Sequence, residues 1–572
     1  MQRADSCPEN PSRIETFSKK PTATFSGSVA VKRSGWLGVQ SVVQLCYGNC
    51  GWALLPGIHF RQYTEPSGHW FPGPASCGRL VLSGWCRAPR IWKFTMIRRG
   101  WLQNVSTGLC GVALHDLLAG GQRQVVADSA AALNPLAQRS GHTIARARRI
   151  IFLFMHGGPS HVDTFDYKPQ LQQRDGEPLP FAKPRIQFAQ TGNLLKSPWR
   201  FRQYGDSGAW VSDLFPHVGQ CADWLTFLHS LHGSNEAHGG ALLKINTGSD
   251  TFVRPSLGAW LSYGLGTENE SLPSFVTINP TLGHGGVRNF GSAFLPPIHQ
   301  ATRIATSRSA GRTTAQIANL THAGSSADVQ RLQLRMLGRL DELRGVGADA
   351  GQAGLLIPAG LDSELQARLS SFELAFRMQT EAPRLFDLSD ETQATRDLYG
   401  IDHEPTGNFG TQCLLARRLS EAGVRFVQVS HAYWDQHADL RKDHGRLAAE
   451  VDLPIAGLLR DLRQRGLLEE TLVIWGAEFG RTPTAQGKDG RDHNPHAFTW
   501  WMAGGGVKAG FRYGASDEFG FYAAENKVHV HDLHATILHL MGLNHEQLTY
   551  RYGGRDFRLT DVSGRVVSEI FV

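Results

Sequence analysis

Imidazoles and carboxylates recur in short clusters, each beside an apolar run. Ile150–Met155 is unbroken apolar sequence, and His156, His161, Asp163 and Asp166 follow it. Arg425–Ser430 leads into HAYWDQH, which holds His431, Asp435 and His437. Thr471–Gly476 is followed by Glu478 and Arg481, and GRDHNPHAF brings Asp492, His493 and His496 just before the apolar run Phe498–Ala503. Mixed His, Asp and Glu ligation suits zinc or manganese, because carboxylates neutralise the ion while neutral imidazoles bind borderline metals. Two such ions about 4 Å apart clamp the attacking and leaving oxygens of a phosphoryl-type transfer. For any one of these histidines the competing reading is a hydrogen-bonded loop or cap.

A nucleophile has one candidate stretch, HGSNEAHGG at 232–240, where Ser234 sits among His232, Asn235, Glu236 and His238. A metal lowers the pKa of a serine hydroxyl and presents it for attack. The flanking glycines let backbone N–H groups approach an anionic oxygen. The alternative is a plain turn formed by Ser234 and Asn235. No G-x-S-x-G elbow surrounds Ser234, which argues against a serine-hydrolase arrangement.

These clusters need elements to position them. Ile150–Met155, Trp224–Leu228, Phe275–Ile278, Arg425–Ser430, Thr471–Gly476 and Phe498–Ala503 read as strands, being short, apolar and bounded by turn residues. Leu447, Val451, Ile455, Leu458, Leu459 and Leu462 form a helical face that Gly466 ends. The strand–helix–strand unit from 425 to 476 implies a parallel pair with a right-handed crossover. His531–Leu543 reads as a helix with Gly542 near its end. Residues 325–385 carry Val329, Leu332, Met336, Leu340 and Leu343, then Leu365, Leu369, Phe372 and Phe376, at helical spacing. They predict two helices inserted on the sheet core, with the apolar stripe as packing. The expected class is α/β with a mostly parallel sheet. In such sheets ligands bind beyond the carboxyl ends of the strands, where the clusters fall.

The chain's 572 residues suffice for one large or several ordinary domains. Glycine, at 63 residues, exceeds its usual share of about 7% and implies many tight loops. The net charge of +7 is spread without a Lys/Arg run, so a solvated basic surface is favoured over nucleic-acid binding. No apolar run reaches about 18 residues, so no transmembrane helix is expected. Six of eight cysteines, Cys7, Cys46, Cys50, Cys77, Cys86 and Cys110, precede residue 111, so no disulfide framework holds the main body. Met96-Ile97-Arg98-Arg99-Gly100 opens a weakly apolar stretch that reaches small residues Ala130–Ala132, the pattern of a twin-arginine export signal. The expectation is that residues 96–132 are this signal, that translation begins at Met96, and that 1–95 are a mispredicted or disordered extension. The domain is then 133–572.

HGGPSHVDTFD, WGAEFGRTP, GRDHNPHAF and HVHDLHATILHLMGL together resemble the DUF1501 family of bacterial exported proteins, abundant in planctomycetes. The similarity runs from Met96 to the C-terminus. The resemblance implies an alkaline phosphatase-like core, related to sulfatases and cofactor-independent phosphoglycerate mutases. It also implies one or two divalent ions, zinc or manganese first, calcium or magnesium as alternatives. Asp163 matches the superfamily's first metal aspartate, and Asp435 and His437 match an Asp–His metal pair. Glu478-Phe479 stands where Asp-His is usual, and His493 matches a metal histidine before Asn-Pro. The implied site is thus Asp163, Asp435, His437, Glu478 and His493 for metal. Ser234 or metal-activated water would attack, and Arg481, His238, Lys488 and Arg491 would bind the substrate anion. Neither Cys221 nor Cys413 starts the x-Pro-x-Arg pattern that formylglycine formation needs.

The function this implies is an exported metal-dependent hydrolase of phosphate or sulfate esters, small or polysaccharide. The alternative is a catalytically altered metal-binding or glycan-binding surface protein of the same fold. Trp210, Trp434, Trp500 and Trp501 are the sugar-stacking candidates for that alternative, with core packing as their other reading.

Overall fold

The computed structural model describes residues 135–182, 190–321, 324–349 and 359–572. The expected extension and export segment, 1–95 and 96–132, lie outside the described residues. Ten strands form the central sheet. They are β1 (Arg149–Met155), β2 (Leu225–His232), β3 (Phe275–Ile278), β4 (Thr302–Ser309) and β5 (Arg312–Ile317), then β6 (Phe426–His431), β7 (Thr471–Gly476), β8 (Phe498–Ala503), β9 (Phe511–Tyr513) and β10 (Val528–His529). Their order is β9-β2-β8-β7-β1-β6-β3-β4-β5, with β10 also on β2. All neighbours are parallel except β8, which runs against both β2 and β7, and the β4–β5 hairpin.

The crossover from β6 to β7 differs from the sequence expectation in one respect. The two strands are parallel but not adjacent, because β1 lies between them and bonds both. The register sets Met155 opposite His431 and Phe154 opposite Gly476. The carboxyl ends of β1, β6 and β7 therefore finish level. Antiparallel β8 starts at the same edge, with Phe498 opposite Leu231 near the end of β2. This gathers the four sequence clusters along one rim.

The unbroken apolar run of β1 reflects burial on both faces, as expected for a central parallel strand. Ile151, Leu153 and Met155 pack with Leu414, Leu447 and Val451 of helices Gly407–Glu421 and Leu440–Gln464. Ile150, Phe152 and Phe154 pack with Leu242, Trp260 and Leu538 on the opposite side. Trp434, Trp500 and Trp501 are buried in these cores, so they are packing residues.

The inserted helices run Ala327–Asp349 and Ala359–Phe386. Their expected packing stripe is corrected by the structure. Val329, Leu332, Leu340 and Phe372 are exposed, whereas Ala367, Leu374, Met378 and Ala382 are buried. Leu374 and Met378 meet Leu136 and Ile298, so the second helix docks by a face rotated from the expected one.

Candidate metal centre

The centre is built on Asp435, in the irregular loop after β6. His431 stays out of it: its ring accepts a hydrogen bond from Trp434 Nε1 at 3.0 Å and meets Glu450 at 2.9 Å. Three imidazoles converge on Asp435. His238 Nε2 lies 3.2 Å from Oδ2, and His437 Nε2 and His493 Nε2 lie 2.9 and 3.1 Å from Oδ1. Each comes from a different element. His238 opens helix His238–Thr247, His437 ends the Asp435 loop, and His493 lies on the hairpin Gly480–Gln486/Gly490–Asn494. That hairpin is held against the loop by the hydrogen bond from Arg491 N–H to the Gln436 carbonyl at 3.1 Å.

The far nitrogen of each ring is anchored. His238 Nδ1 donates to Glu478 Oε1 at 2.8 Å, and His493 Nδ1 donates to the Glu236 carbonyl at 2.6 Å. His437 Nδ1 bonds Gln486 Oε1. Carboxylate and carbonyl oxygens only accept, so the proton of a neutral His238 or His493 ring sits on Nδ1. Nε2 then turns a lone pair toward a carboxylate, an arrangement that requires positive charge between them. Without an ion, protons supply it. Burial opposes a charged His238, but Asp435 and Glu478 carry its pKa up to about 9. Hydrogen bonding to Asp435 raises His437, while burial lowers His493 against the pull of Asp435. Burial would raise Asp435; its imidazole partners and Arg481 instead hold it far below the usual carboxylate range.

Other polar atoms around the centre also lack partners. His156 Nε2, Glu478 Oε2 and Asp492 Oδ2 are buried without a hydrogen bond. Each such atom costs about 1–3 kcal/mol, more when charged, so native proteins keep few. Two groups of ligand atoms lie mutually within 4.8 Å: His238, Asp435 and His493; and His437, Asp492 and His493. These donors fit a divalent ion. Imidazoles anchored through their second nitrogen are the usual ligand form.

The remaining expected site residues fall elsewhere. Asp163 is paired with an arginine. Burial raises its pKa, and the Arg491 guanidinium more than offsets that. Arg491 Nε and Nη2 bond the two Asp163 oxygens at 2.6 and 3.1 Å, and both side chains are fully buried. Asp163 is therefore a partner of Arg491 and belongs to neither ligand group, and Arg491 is not presented to a substrate. Arg481 is likewise enclosed. It bonds the carbonyls of Gly157, Gly158, Trp434 and Arg491, and Asp435 Oδ1 at 2.6 Å. It braces the loops and has no nitrogen left for an anion. Glu478 supports His238 through one oxygen and accepts the Gly157 N–H at 2.9 Å with that same oxygen. Ser234 is exposed and donates to Asp250 at 3.2 Å. Lys488 is exposed at the hairpin tip.

Gly157 shows why the first cluster carries glycine. Its φ is +116°, and a Cβ there would stand 2.7 Å from the Trp434 nitrogen. Only glycine lets the β1 and β6 loops pass this closely. His161 is a buried structural residue bonded to the Gly520 carbonyl at 2.8 Å. Sequence reasoning missed His284, whose ring stacks on His238 at 4.9 Å and 11°. Its loop TLGHGGVRN has no apolar periodicity and gave no signal beyond its glycines.

Residues 147–571 match the family model "Protein of unknown function (DUF1501)". The chain belongs to that family. No curated protein matches the chain. Among solved structures, this DUF1501 chain is similar to Ps i-CgsB in complex with k-i-k-neocarrahexaose, at 10% identity and TM-score 0.31, covering 70% of this chain and 73% of that one. It is similar to the PsFucS1 sulfatase from Pseudoalteromonas sp., at 12% identity and TM-score 0.27, covering 70% and 68%. It is also similar to the phosphonate monoester hydrolase SpPMH from Silicibacter pomeroyi, at 10% identity and TM-score 0.26, covering 69% and 73%. Among the described residues no helix is long and apolar enough to cross a membrane.

Proposed function

We propose that this DUF1501 chain is an exported, metal-dependent hydrolase of phosphate or sulfate esters. The supporting observation is the set of Nδ1-anchored imidazoles that turn Nε2 toward one carboxylate. Asp435, His238 and His493 would hold one ion, zinc or manganese. His437 and Asp492 would hold a second, with His493 serving only one of the two, because its Nδ1 is bonded to the Glu236 carbonyl and its Nε2 carries a single lone pair. A bound ion supplies Lewis-acid charge for the oxygens that become negative during ester cleavage.

The chain's own residues do the rest. Glu478, the Glu236 carbonyl and Gln486 fix the rings. Arg481 and the Asp163–Arg491 pair lock the loops beneath them. Of the expected anion binders, Lys488 is exposed and would meet a substrate anion. Ser234 donates to Asp250 and to none of the ligand residues, so this reading takes water rather than the serine as the attacking group. Phe479 supports the second reading, an altered metal-binding protein. It stands where the superfamily has histidine and lays its ring on His493 at 4.4 Å.

The test measures metal content and hydrolysis of 4-nitrophenyl phosphate and 4-nitrophenyl sulfate together. Zinc or manganese near one or two per chain, activity lost with chelator, and full activity in Ser234→Ala are expected. Metal without turnover on either ester selects the binding reading. Metal-free protein that hydrolyses the esters defeats the proposal. The export part rests on the Met96 segment, and any peptide from residues 1–95 in the native protein refutes that start.

A further inference from the structure

We propose that the chain has a second ligand site, for a sugar ring bearing an acidic substituent, at the β2–β9 edge of the sheet. Phe227 and His229 alternate along β2 and so share one face. Arg512 of β9 lies opposite Phe227 in the pairing register. A cavity of about 290 Å³ opens over this face, and none of its lining residues belongs to the Asp435 cluster. Its size approaches the roughly 300 Å³ lower bound of small-molecule sites.

The walls and floor select the ligand. Tyr167 and Trp210, both half-buried, stand 4.6 Å apart at 38°. The two rings pack on each other, and the half-buried Trp210 ring offers the aromatic surface on which the C–H face of a pyranose stacks. Trp210 is thus the one sugar-stacking candidate from the sequence that is not core. The floor is polar and fixed. Asp166 is held by Lys168 at 3.0 Å and by the Ser516 hydroxyl at 2.5 Å. The His229 ring lies 3° from parallel to Phe227, and its Nδ1 meets Thr499 Oγ1 at 3.2 Å. Burial holds His229 neutral, with a pKa lowered to about 4, so Nε2 remains for a sugar hydroxyl.

Arg512 is exposed, and no carboxylate among the described residues pairs with it. At the mouth of the cavity it is positioned for a sulfate, phosphate or uronate group. A cationic ligand is disfavoured by Arg512 and Lys168 together. A purely apolar one would leave Arg512 and His229 Nε2 without partners.

The test is calorimetric titration of the full chain with chondroitin 4-sulfate tetrasaccharide and with its desulfated, carboxyl-reduced form. The acidic tetrasaccharide should bind at least about ten-fold more tightly, the value of one charge-assisted hydrogen bond. Arg512→Ala should remove that preference, and Arg512→Lys should retain part of it. Trp210→Ala should weaken both ligands, with Trp210→Phe as the substitution that preserves packing. Hydrolysis of small esters should be unchanged in all four variants, which separates this site from the metal centre. Equal affinity for the two ligands, unchanged binding in Arg512→Ala and Trp210→Ala alike, or no binding at millimolar concentration overturns the proposal.

Discussion

Asp435, in a loop, and Asp163, in the short helix His161–Thr164, both follow strands at the carboxyl edge of the sheet, yet their surroundings differ. The Asp435 side chain is 38% exposed and meets three imidazoles and one arginine. The Asp163 side chain is fully buried and both its oxygens face one guanidinium. Imidazoles exchange a proton for a metal readily, whereas a guanidinium keeps its protons throughout the accessible pH range. The same residue type at the same edge is therefore a ligand candidate in one place and a clamp in the other. The partner cation decides which.

Breaking the clamp should have the largest effect on stability. Asp163→Asn leaves the Arg491 charge buried and uncompensated, which costs about 3–5 kcal/mol. The Asp163→Asn/Arg491→Met double variant should lose much less than the two single losses added. Urea denaturation reads both. Metal content per folded chain should be unchanged, and a metal-free Asp163→Asn that is stable would move Asp163 into the centre.

His437→Ala should show the opposite signature. Its ring is 34% exposed, so stability should shift by less than about 1 kcal/mol. Loss of a direct ligand should exceed the 10–100-fold that an outer partner is worth, here in metal affinity and turnover. A large stability loss with intact metal binding would erase the contrast between the two aspartates.

A smaller effect separates the centre's histidines from those in the core. Burial depresses His299, His444 and His534 to about 3, against about 6.5 unfolded. The unfolded chain therefore binds protons that the folded chain refuses. The stability these residues contribute is complete above pH 6.5 and is lost as pH falls toward 3, at about 1.4 kcal/mol per pH unit for each. His299→Gln should flatten the dependence of the urea midpoint between pH 6.5 and 4.5 by about one proton. No flattening would mean that His299 is protonated in the fold.

The elements legible in the sequence were those whose burial is uniform. β7 and β8 have the bounds that their apolar runs TLVIWG and FTWWMA mark. The hairpins Thr302–Ser309/Arg312–Ile317 and Gly480–Gln486/Gly490–Asn494 were not legible. The first is half exposed, and the second is polar sequence that is buried because its side chains pair with Asp163, Asp435 and the carbonyls of other segments. The rim position of Asp435, His437 and His493 followed from the strand ends. The fate of Asp163 did not, because it depends on Arg491, 328 residues away in sequence. Arg481 misled for a similar reason. An arginine in a glycine-flanked turn resembles an anion binder until the carbonyls around it are placed.

The most direct test is a crystal structure with anomalous scattering recorded at the zinc and manganese edges. The account predicts a peak bounded by the Asp435 carboxylate, His238 Nε2 and His493 Nε2, with Asp163 still on Arg491. A metal peak on Asp163, or none beside Asp435 in protein grown with both ions, would contradict it.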